Sequence, residues 1–156
     1  MAARPWLVPA IGTLLVIAAD QIIKSIVARS IPAGASVTVI PGLLSLTHVQ
    51  NTGIAFGWFA GLSPALAAIA ALTLFFVLFY NRGRWPRSRA ESAGIALMAG
   101  GAAGNLLDRI RLGFVVDYLD LHVWPVFNVA DAAIVVGAGV LVLTLAREGR
   151  PPQSRR

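Results

Sequence analysis

All five aspartates of this chain lie in or beside apolar segments, together with two asparagines and a lysine. Two close carboxylates cannot both ionise easily, so they share a proton. One of them can then act as a base towards water while the other donates to a carbonyl oxygen. That arrangement is the one aspartic peptidases use, and it needs no metal, cofactor, serine or cysteine. Composition by itself does not decide which two of Asp20, Asp108, Asp117, Asp120 and Asp131 would pair.

Other reaction centres find less support in the sequence. The chain has no cysteine, which excludes disulfides, thiolate catalysis and zinc–cysteine sites. His48 and His122 are too few and too far apart to form a metal cluster by themselves. No obvious base partner is found for the serines at positions 30, 36, 45, 63, 88, 92 and 154, which argues against a serine hydrolase.

The composition is that of a membrane protein. Of 156 residues, 57% are hydrophobic and 13% are charged, with a mean hydropathy of +0.75, whereas soluble domains carry about 25% charged residues. The length predicts a single domain, which we take as 1–156. The net charge of +6 would also fit nucleic-acid binding. However, the arginines flank apolar spans and have no interleaved aromatic platform, so we expect no nucleic-acid partner.

Four apolar stretches approach the roughly 20 helical residues needed to cross a bilayer. We place them at about 6–27, 62–80, 90–107 and 129–146. Arg4 before the first stretch would also fit a signal peptide, but no clear A-x-A site follows, so we expect an uncleaved helix. The sequence thus predicts an all-α membrane protein with four transmembrane helices.

Arginines predict the orientation of these spans. They precede the first span, fill the loop at 81–89 and follow the fourth span, while the opposite loops hold only Arg29, Arg109 and Arg111. The positive-inside rule then places both termini in the cytoplasm. Between spans one and two, residues 35–57 contain alternating apolar residues around Pro41-Gly42, which predicts two short strands and a turn. We expect this small sheet on the outer membrane surface.

With this topology the polar residues gather at one membrane depth. Asp20 lies sixteen residues beyond Arg4, roughly 24 Å from the cytoplasmic end at the helical rise. Asn105 and Asp108 end span three, Asn128 and Asp131 open span four, and Asp117 and Asp120 lie in the loop between them. Ionisable groups within a membrane are costly and mark functional sites by default. The sequence therefore predicts a carboxylate cluster at the outer membrane edge, and we hypothesise that the 110–127 loop covers it as a lid.

Each of these residues also has a structural explanation. Asp20 and Lys24 have the spacing of a helix ion pair, and we expect this structural role for both. Asn128 fits the N-cap of span four with Asp131 at N3, and Asp108 could pair with Arg109. We expect Asp120 and His122 to be solvated. Capping and pairing do not, however, require so many carboxylates at one depth.

Small residues on spans three and four predict close helix packing. Gly100 and Gly104 stand four apart on span three, and Ala133 and Gly137 do so on span four. Such spacing lets helix backbones approach where lipid supplies no hydrophobic drive.

Four blocks of the sequence, in this order, resemble the lipoprotein signal peptidase (signal peptidase II) family. They are DQIIK at 20–24, NTGIAFG at 51–57, GGAAGNLLDRIRLGFVVDYLDLH at 100–122 and FNVAD at 127–131. The resemblance covers most of the chain. Ile54 and Ala132 depart from it, where the family often has a smaller residue and a serine; neither change removes a catalytic group.

The resemblance implies an enzyme of the bacterial inner (plasma) membrane, and we expect a monomer. Its substrate would be a prolipoprotein held in membrane lipid, cleaved just before the diacylglyceryl-modified cysteine. The family's catalytic aspartates match Asp117 and Asp131. The positions expected to bind substrate or support the site are Asn51, Gly53, Asn105, Asp108, Arg109, Asn128, Ala130, Asp20 and Lys24.

Two other functions remain open on the residues alone. A proton- or ion-conducting subunit also uses intramembrane carboxylates, but it would spread them through the membrane depth. Spans two and four have no carboxylate on the cytoplasmic side of Asp131. A non-catalytic assembly protein would use the aspartates as caps and ion pairs. In that case neutralising Asp117 or Asp131 would change stability at most.

Overall fold

The computed structural model describes residues 6–52 and 86–148. Three helices and three strands follow one another in this part of the chain: α1 Leu7–Ser30, β1 Ser36–Ile40, β2 Leu44–Asn51, α2 Arg89–Leu112, β3 Val115–Asp120 and α3 Val129–Glu148. The predicted span at 62–80, the arginine-rich loop up to residue 85, Gly53 and Ile54 lie outside the described residues. The three other predicted spans coincide with α1, α2 and α3.

Helix α1 is the most membrane-like of the described elements. Among residues 6–52 and 86–148 it is the helix long and apolar enough to cross a membrane, and α3 contains a shorter apolar stretch, Val129–Thr144. Helix α1 ends where Ile31 turns extended, as expected of a residue that precedes a proline.

Helix α2 has defined signals at both ends. The Ser88 hydroxyl accepts from the Glu91 N–H at 3.0 Å, and a Glu91 carboxylate oxygen accepts from the Arg87 N–H at 2.7 Å. Gly113 ends the helix with a φ of 81°, a left-handed conformation that glycine adopts without a steric penalty. Helix α2 therefore runs five residues beyond the predicted end at 107, and Asp108 and Arg109 are helical.

The sheet has the strand order β1-β2-β3 and is antiparallel throughout. The predicted hairpin around Pro41-Gly42 is confirmed as β1 and β2. The prediction of a loop over 110–127 was wrong, because β3 pairs with β2 on one side and Leu119 bridges to Phe127 on the other. The sequence signal for β3, the apolar pair Val115-Val116, is too short to stand out from the helix before it.

A one-residue bulge in β2 changes which residues share a face of the sheet. Leu46 pairs with Leu119, but Val49 pairs with Asp117. An advance of three residues along β2 therefore corresponds to an advance of two residues along β3. Because side chains alternate faces with every residue, this shift puts Asn51 on the same face as Asp117. Asp120, opposite Ser45, is three residues from Asp117 along β3 and therefore lies on the other face.

Packing joins the helices to each other and to the sheet. Val27 of α1 and Ile31, just after its end, form a buried apolar cluster with Val116 and Tyr118 of β3. Helices α2 and α3 meet through glycines: a Cβ on Gly137 would lie 2.8 Å from the Gly94 carbonyl oxygen. A Cβ on Gly100 would lie 2.5 Å from Val16 Cβ of α1. The predicted close packing is thus confirmed.

Candidate active site

A buried polar cluster lies where α1, the second half of α2, β3 and the start of α3 meet. Most of its side chains are almost fully shielded from solvent, which is costly unless each is paired. The buried members are Asp20, Lys24, Asn105, Asp108, Asp117 and Asn128, and Asp131 is partly buried beside them. The predicted convergence of these residues is confirmed.

Asp117 lies at the centre of β3 and is 2% exposed. Its Oδ2 accepts from Asn51 Nδ2 at 2.7 Å, and its Oδ1 accepts from Asn128 Nδ2 at 2.6 Å. The first contact crosses diagonally from β2 to β3 and is possible because the bulge places both residues on one face. Strand pairing and a helix cap together therefore fix both oxygens of this carboxylate.

Asn128 caps α3 and contacts Asp117 at the same time. Its Oδ1 accepts from the Asp131 N–H at 3.0 Å, while its own N–H donates to Asp131 Oδ2 at 3.2 Å. This reciprocal pattern is a capping box formed by Asn and Asp. The predicted N-cap is thus confirmed, and since the cap uses only the amide oxygen, Nδ2 remains to bind Asp117.

Asp131 is held from α2 as well as by its own helix end. Asn105 Nδ2 donates to Asp131 Oδ1 at 2.7 Å. Asn105 Oδ1 in turn accepts from Lys24 Nζ at 2.8 Å and from Asn128 Nδ2 at 3.2 Å. Because the Lys24 ammonium and the Asn128 amide both donate to this oxygen, the NH₂ group of Asn105 is directed towards Asp131.

Lys24 lies between two carboxylates. Its Nζ is 2.9 Å from Asp20 Oδ2 and 2.9 Å from Asp108 Oδ2. The predicted Asp20–Lys24 pair is confirmed, and Asp108 extends it from α1 to α2. The predicted alternative of an Asp108–Arg109 pair was wrong, because the side chain of Asp108 is directed to α1 and to the Val116 N–H, 3.2 Å away.

Gln21 belongs to this cluster although it was not among the predicted site residues. Its Nε2 donates to Asp108 Oδ1 at 2.8 Å, to Asp20 Oδ2 at 3.2 Å and to the Gly104 carbonyl at 3.2 Å. A polar residue directly after Asp20 in an apolar span was the available sequence signal. Gln21 thus connects the two carboxylates that flank Lys24.

Two further predicted positions fit closely around the cluster. Arg109 donates from Nη1 to the Asn105 carbonyl at 3.3 Å, and its charge interacts with those of Asp131, Asp117 and Asp108. Ala130 is 0% exposed, and its carbonyl oxygen contacts the position that a Cβ on Gly101 would occupy. A larger residue at either Gly101 or Ala130 would separate α2 from α3.

Asp120 lies outside the cluster, on the opposite face of β3 from Asp117. Its Oδ2 accepts from the Thr47 hydroxyl at 2.8 Å and its Oδ1 from the His122 N–H at 2.9 Å. Asp120 is therefore a strand residue with defined partners, and the prediction of a solvated loop residue was wrong for it. His122 is exposed, as predicted, and has a φ of 62°.

The environment of Asp117 raises its pKa from 3.8 to about 6. Burial is the largest cause and the nearby charge of Asp131 acts in the same direction, while the hydrogen bonds from Asn51 and Asn128 oppose the shift. Asp131 lies in the first turn of α3, where the helix dipole stabilises a carboxylate. Two neighbouring acids in such different surroundings can divide the roles of proton donor and base.

Within residues 6–52 and 86–148, no three histidines or acids are arranged to hold an ion. Asp20 and Asp108 already neutralise Lys24.

Comparison with known proteins gives a consistent result. The sequence pattern of the family described as signal peptidase (SPase) II matches residues 12–147. The lipoprotein signal peptidase of Halothermothrix orenii is 42% identical over 138 residues, covering 86% of this chain and 92% of that protein. That of Moorella thermoacetica is 41% identical over 143 residues, covering 89% and 95%.

The fold is similar to that of solved membrane enzymes. A bacterial membrane enzyme determined by the in meso method at 2.3 Å resolution superposes with a TM-score of 0.82 and 26% identity, over 95% of this chain and 93% of the other. A second, at 1.9 Å resolution, gives a TM-score of 0.80 and 28% identity, over 90% and 93%. In sequence and in fold, this chain belongs to the signal peptidase II family, and it is a bacterial membrane protease.

Proposed function

We propose that this chain is an aspartyl endopeptidase that removes the signal peptide from diacylglyceryl-modified prolipoproteins. The bond it cleaves is the one just before the lipidated cysteine. The observation that carries the proposal is the double role of Asn128, whose amide binds Asp117 through Nδ2 and caps the turn that holds Asp131 through Oδ1. Two carboxylates fixed by one amide are suited to share a proton and to act on one water molecule.

The surroundings of the two acids assign their roles. Asp131, at the N-terminus of α3, is the base that takes a proton from water as the water oxygen attacks the scissile carbonyl carbon. Asp117, whose burial raises its pKa to about 6, donates its proton to the carbonyl oxygen. The resulting tetrahedral diol collapses when Asp131 passes its proton to the amide nitrogen, the C–N bond breaks, and Asp117 recovers its proton from the diol.

The other predicted positions support this pair. Asn51 orients Asp117 from β2 and, with Gly53, holds the substrate beside the sheet. Asn105, Asp108, Arg109 and Asn128 orient the dyad, and Ala130 lets α2 and α3 approach. Asp20 and Lys24 keep Asn105 in place.

The membrane placement follows the arginine pattern. The chain forms one domain, 1–156, with four spans, cytoplasmic termini and the sheet at the outer face of the inner membrane. It works as a monomer. A substrate with two acyl chains and an apolar signal helix stays in the bilayer, so a dyad at the outer edge meets its cleavage site.

Cleavage of a diacylglyceryl-modified prolipoprotein by the purified chain in detergent tests this function. We expect the wild type to release the signal peptide and Asp117→Asn and Asp131→Asn to be folded but inactive, with losses of at least about 10³-fold. Asp120→Asn is the matched control: it neutralises an acid of the same strand on the opposite face, and it should retain activity.

Each alternative function predicts a different result. A scaffold or conducting subunit would give a wild type that does not cleave. If Asp117→Asn or Asp131→Asn keeps near-full activity, the dyad assignment is wrong, and Asp108 becomes the next candidate.

A further inference from the structure

A groove of about 630 Å³ runs between the ends of α1 and α2, and the proposed catalytic steps do not use it. Its walls contain Ile22 and Ile26 of α1 and Leu112 of α2, and these side chains are 59%, 58% and 49% exposed. Arg29 and Arg111 line the same groove. It therefore combines an apolar wall with two guanidinium groups.

The two arginines give the groove a net positive charge. Lys24 and Asp108 also line it, but they form an ion pair with each other. Within the described part of the chain, no carboxylate pairs with Arg29 or Arg111, and Arg111 reaches across to α1 only through Gln21 Oε1 at 3.4 Å. A ligand that fits this charge is an anion.

Arginines in this place are unexpected for a membrane protein. Topology concentrates basic residues on the cytoplasmic side, whereas Arg29 and Arg111 end α1 and α2 on the side of the carboxylate cluster. Each could stabilise the dipole of its own helix C-terminus. That role does not require both side chains to line one groove beside exposed isoleucines.

We propose that this groove binds an anionic phospholipid, with its phosphate between Arg29 and Arg111 and an acyl chain along Ile22 and Ile26. Guanidinium groups bind phosphate oxygens through paired N–H donors, and basic pockets between transmembrane helices bind anionic headgroups. The apolar wall favours a lipid over free phosphate, because phosphate alone would leave that wall without a partner. The bound lipid would hold the outer ends of α1 and α2 together, close to Lys24 and Asp108.

Electron spin resonance of reconstituted protein tests this site. The full chain is placed in phosphatidylcholine bilayers containing trace spin-labelled phosphatidylglycerol or phosphatidylcholine, and the protein-restricted fraction gives the relative association constant of each. We expect wild type to prefer phosphatidylglycerol. Arg29→Gln/Arg111→Gln should reduce that preference at least about fivefold, since one basic residue near an anionic headgroup contributes about this factor.

Two comparisons separate this site from a general charge effect. Arg89→Gln/Arg147→Gln removes the same charge from exposed positions at the opposite helix ends and should keep the preference. Ser25→Phe retains both arginines but fills the groove, which Ser25 lines, and it should lose the preference. The proposal is overturned if Arg29→Gln/Arg111→Gln matches wild type, if the opposite-end variant loses equally, or if Ser25→Phe has no effect.

Cleavage activity in detergent keeps this inference separate from the proposed function. All three variants should still cleave prolipoprotein in detergent, because none of the substituted residues contacts Asp117 or Asp131. A variant that retains cleavage but loses lipid preference supports the groove. A wild type that shows lipid preference without cleavage would overturn the proposed function and leave the lipid site standing.

Discussion

Asn128 Nδ2 lies 2.6 Å from Asp117 Oδ1. The same side chain accepts the Asp131 N–H through its Oδ1, so one amide spans the strand acid and the helix acid. Because a donor is needed on one side and an acceptor on the other, neither a carboxylate nor a hydrocarbon can replace it fully. The distance between Asp117 and Asp131 therefore depends on the helix cap that Asn128 forms.

Asn128→Asp should keep the helix cap of α3 but remove the hydrogen bond to Asp117. Aspartate caps a helix about as well as asparagine, so the melting temperature should change little. It cannot donate to Asp117 when ionised, and it adds a third acid, so cleavage should fall about 10–100-fold, as for loss of a residue that orients a catalytic ligand. Cleavage rate and thermal unfolding in detergent measure the two effects. Unchanged cleavage would show that the amide does not position Asp117.

Lys24→Met should destabilise the protein strongly. It leaves Asp20 and Asp108 buried without their cation, and breaking a buried pair from one side costs about 3–5 kcal/mol. Asp20→Asn/Lys24→Met removes one of these charges and should recover part of the loss. Free energies of unfolding of the single and double variants form the cycle that measures the coupling. Equal stability of Lys24→Met and wild type would mean that this buried ion pair contributes little.

Stability should depend on pH through Asp117. Burial raises its pKa from 3.8 to about 6, so the folded state binds this proton more tightly than the unfolded state. Binding of this proton stabilises the folded state fully below about pH 3.8, and the stabilisation is lost as the pH rises through 6. Its size is on the order of 3 kcal/mol, at 1.36 kcal/mol per pKa unit. In Asp117→Asn this part of the pH dependence should disappear between pH 4 and pH 7.

Asp120 provides a control of opposite sign. The hydrogen bonds from the His122 N–H and the Thr47 hydroxyl lower its pKa. Its contribution is therefore present above its ordinary pKa and is lost as the pH falls through the lowered value. The measurement is the free energy of unfolding of wild type, Asp117→Asn and Asp120→Asn over the same pH range. A wild type that follows Asp117→Asn at every pH would contradict the raised pKa of Asp117.

Gly101→Ala should force α2 and α3 apart. The added methyl group would clash with the Ala130 carbonyl oxygen and lie 2.9 Å from Ile134 Cγ1, and overpacking of this kind costs about 1–3 kcal/mol. Since Ala130 precedes Asp131, cleavage should fall as well. Gly139→Ala is the matched control on α3, because a Cβ there meets nothing within 4 Å; it should be neutral or slightly stabilising. Equal effects of the two substitutions would contradict close packing at Gly101.

Several features of the site could be predicted from the sequence because they depend on local spacing. The i,i+4 spacing of Asp20 and Lys24 predicts their ion pair, and Asn128 three residues before Asp131 predicts the cap. The lengths of the apolar stretches predict helices α1, α2 and α3. Small residues at four-residue spacing predict the close approach of α2 to its neighbours.

Other features were decided only by the tertiary structure. Strand β3 is a strand because β2 and Phe127 supply its hydrogen-bond partners, which no local pattern of its own reveals. The bulge in β2 puts Asn51 on the same face as Asp117, and a one-residue register shift leaves no clear mark in the sequence. Asp108 pairs with Lys24 rather than with its neighbour Arg109, because residues adjacent in a helix point in different directions and packing brings α1 against α2. The sequence thus determined which polar residues occur near these helix ends, while strand register and helix packing decided which of them touch.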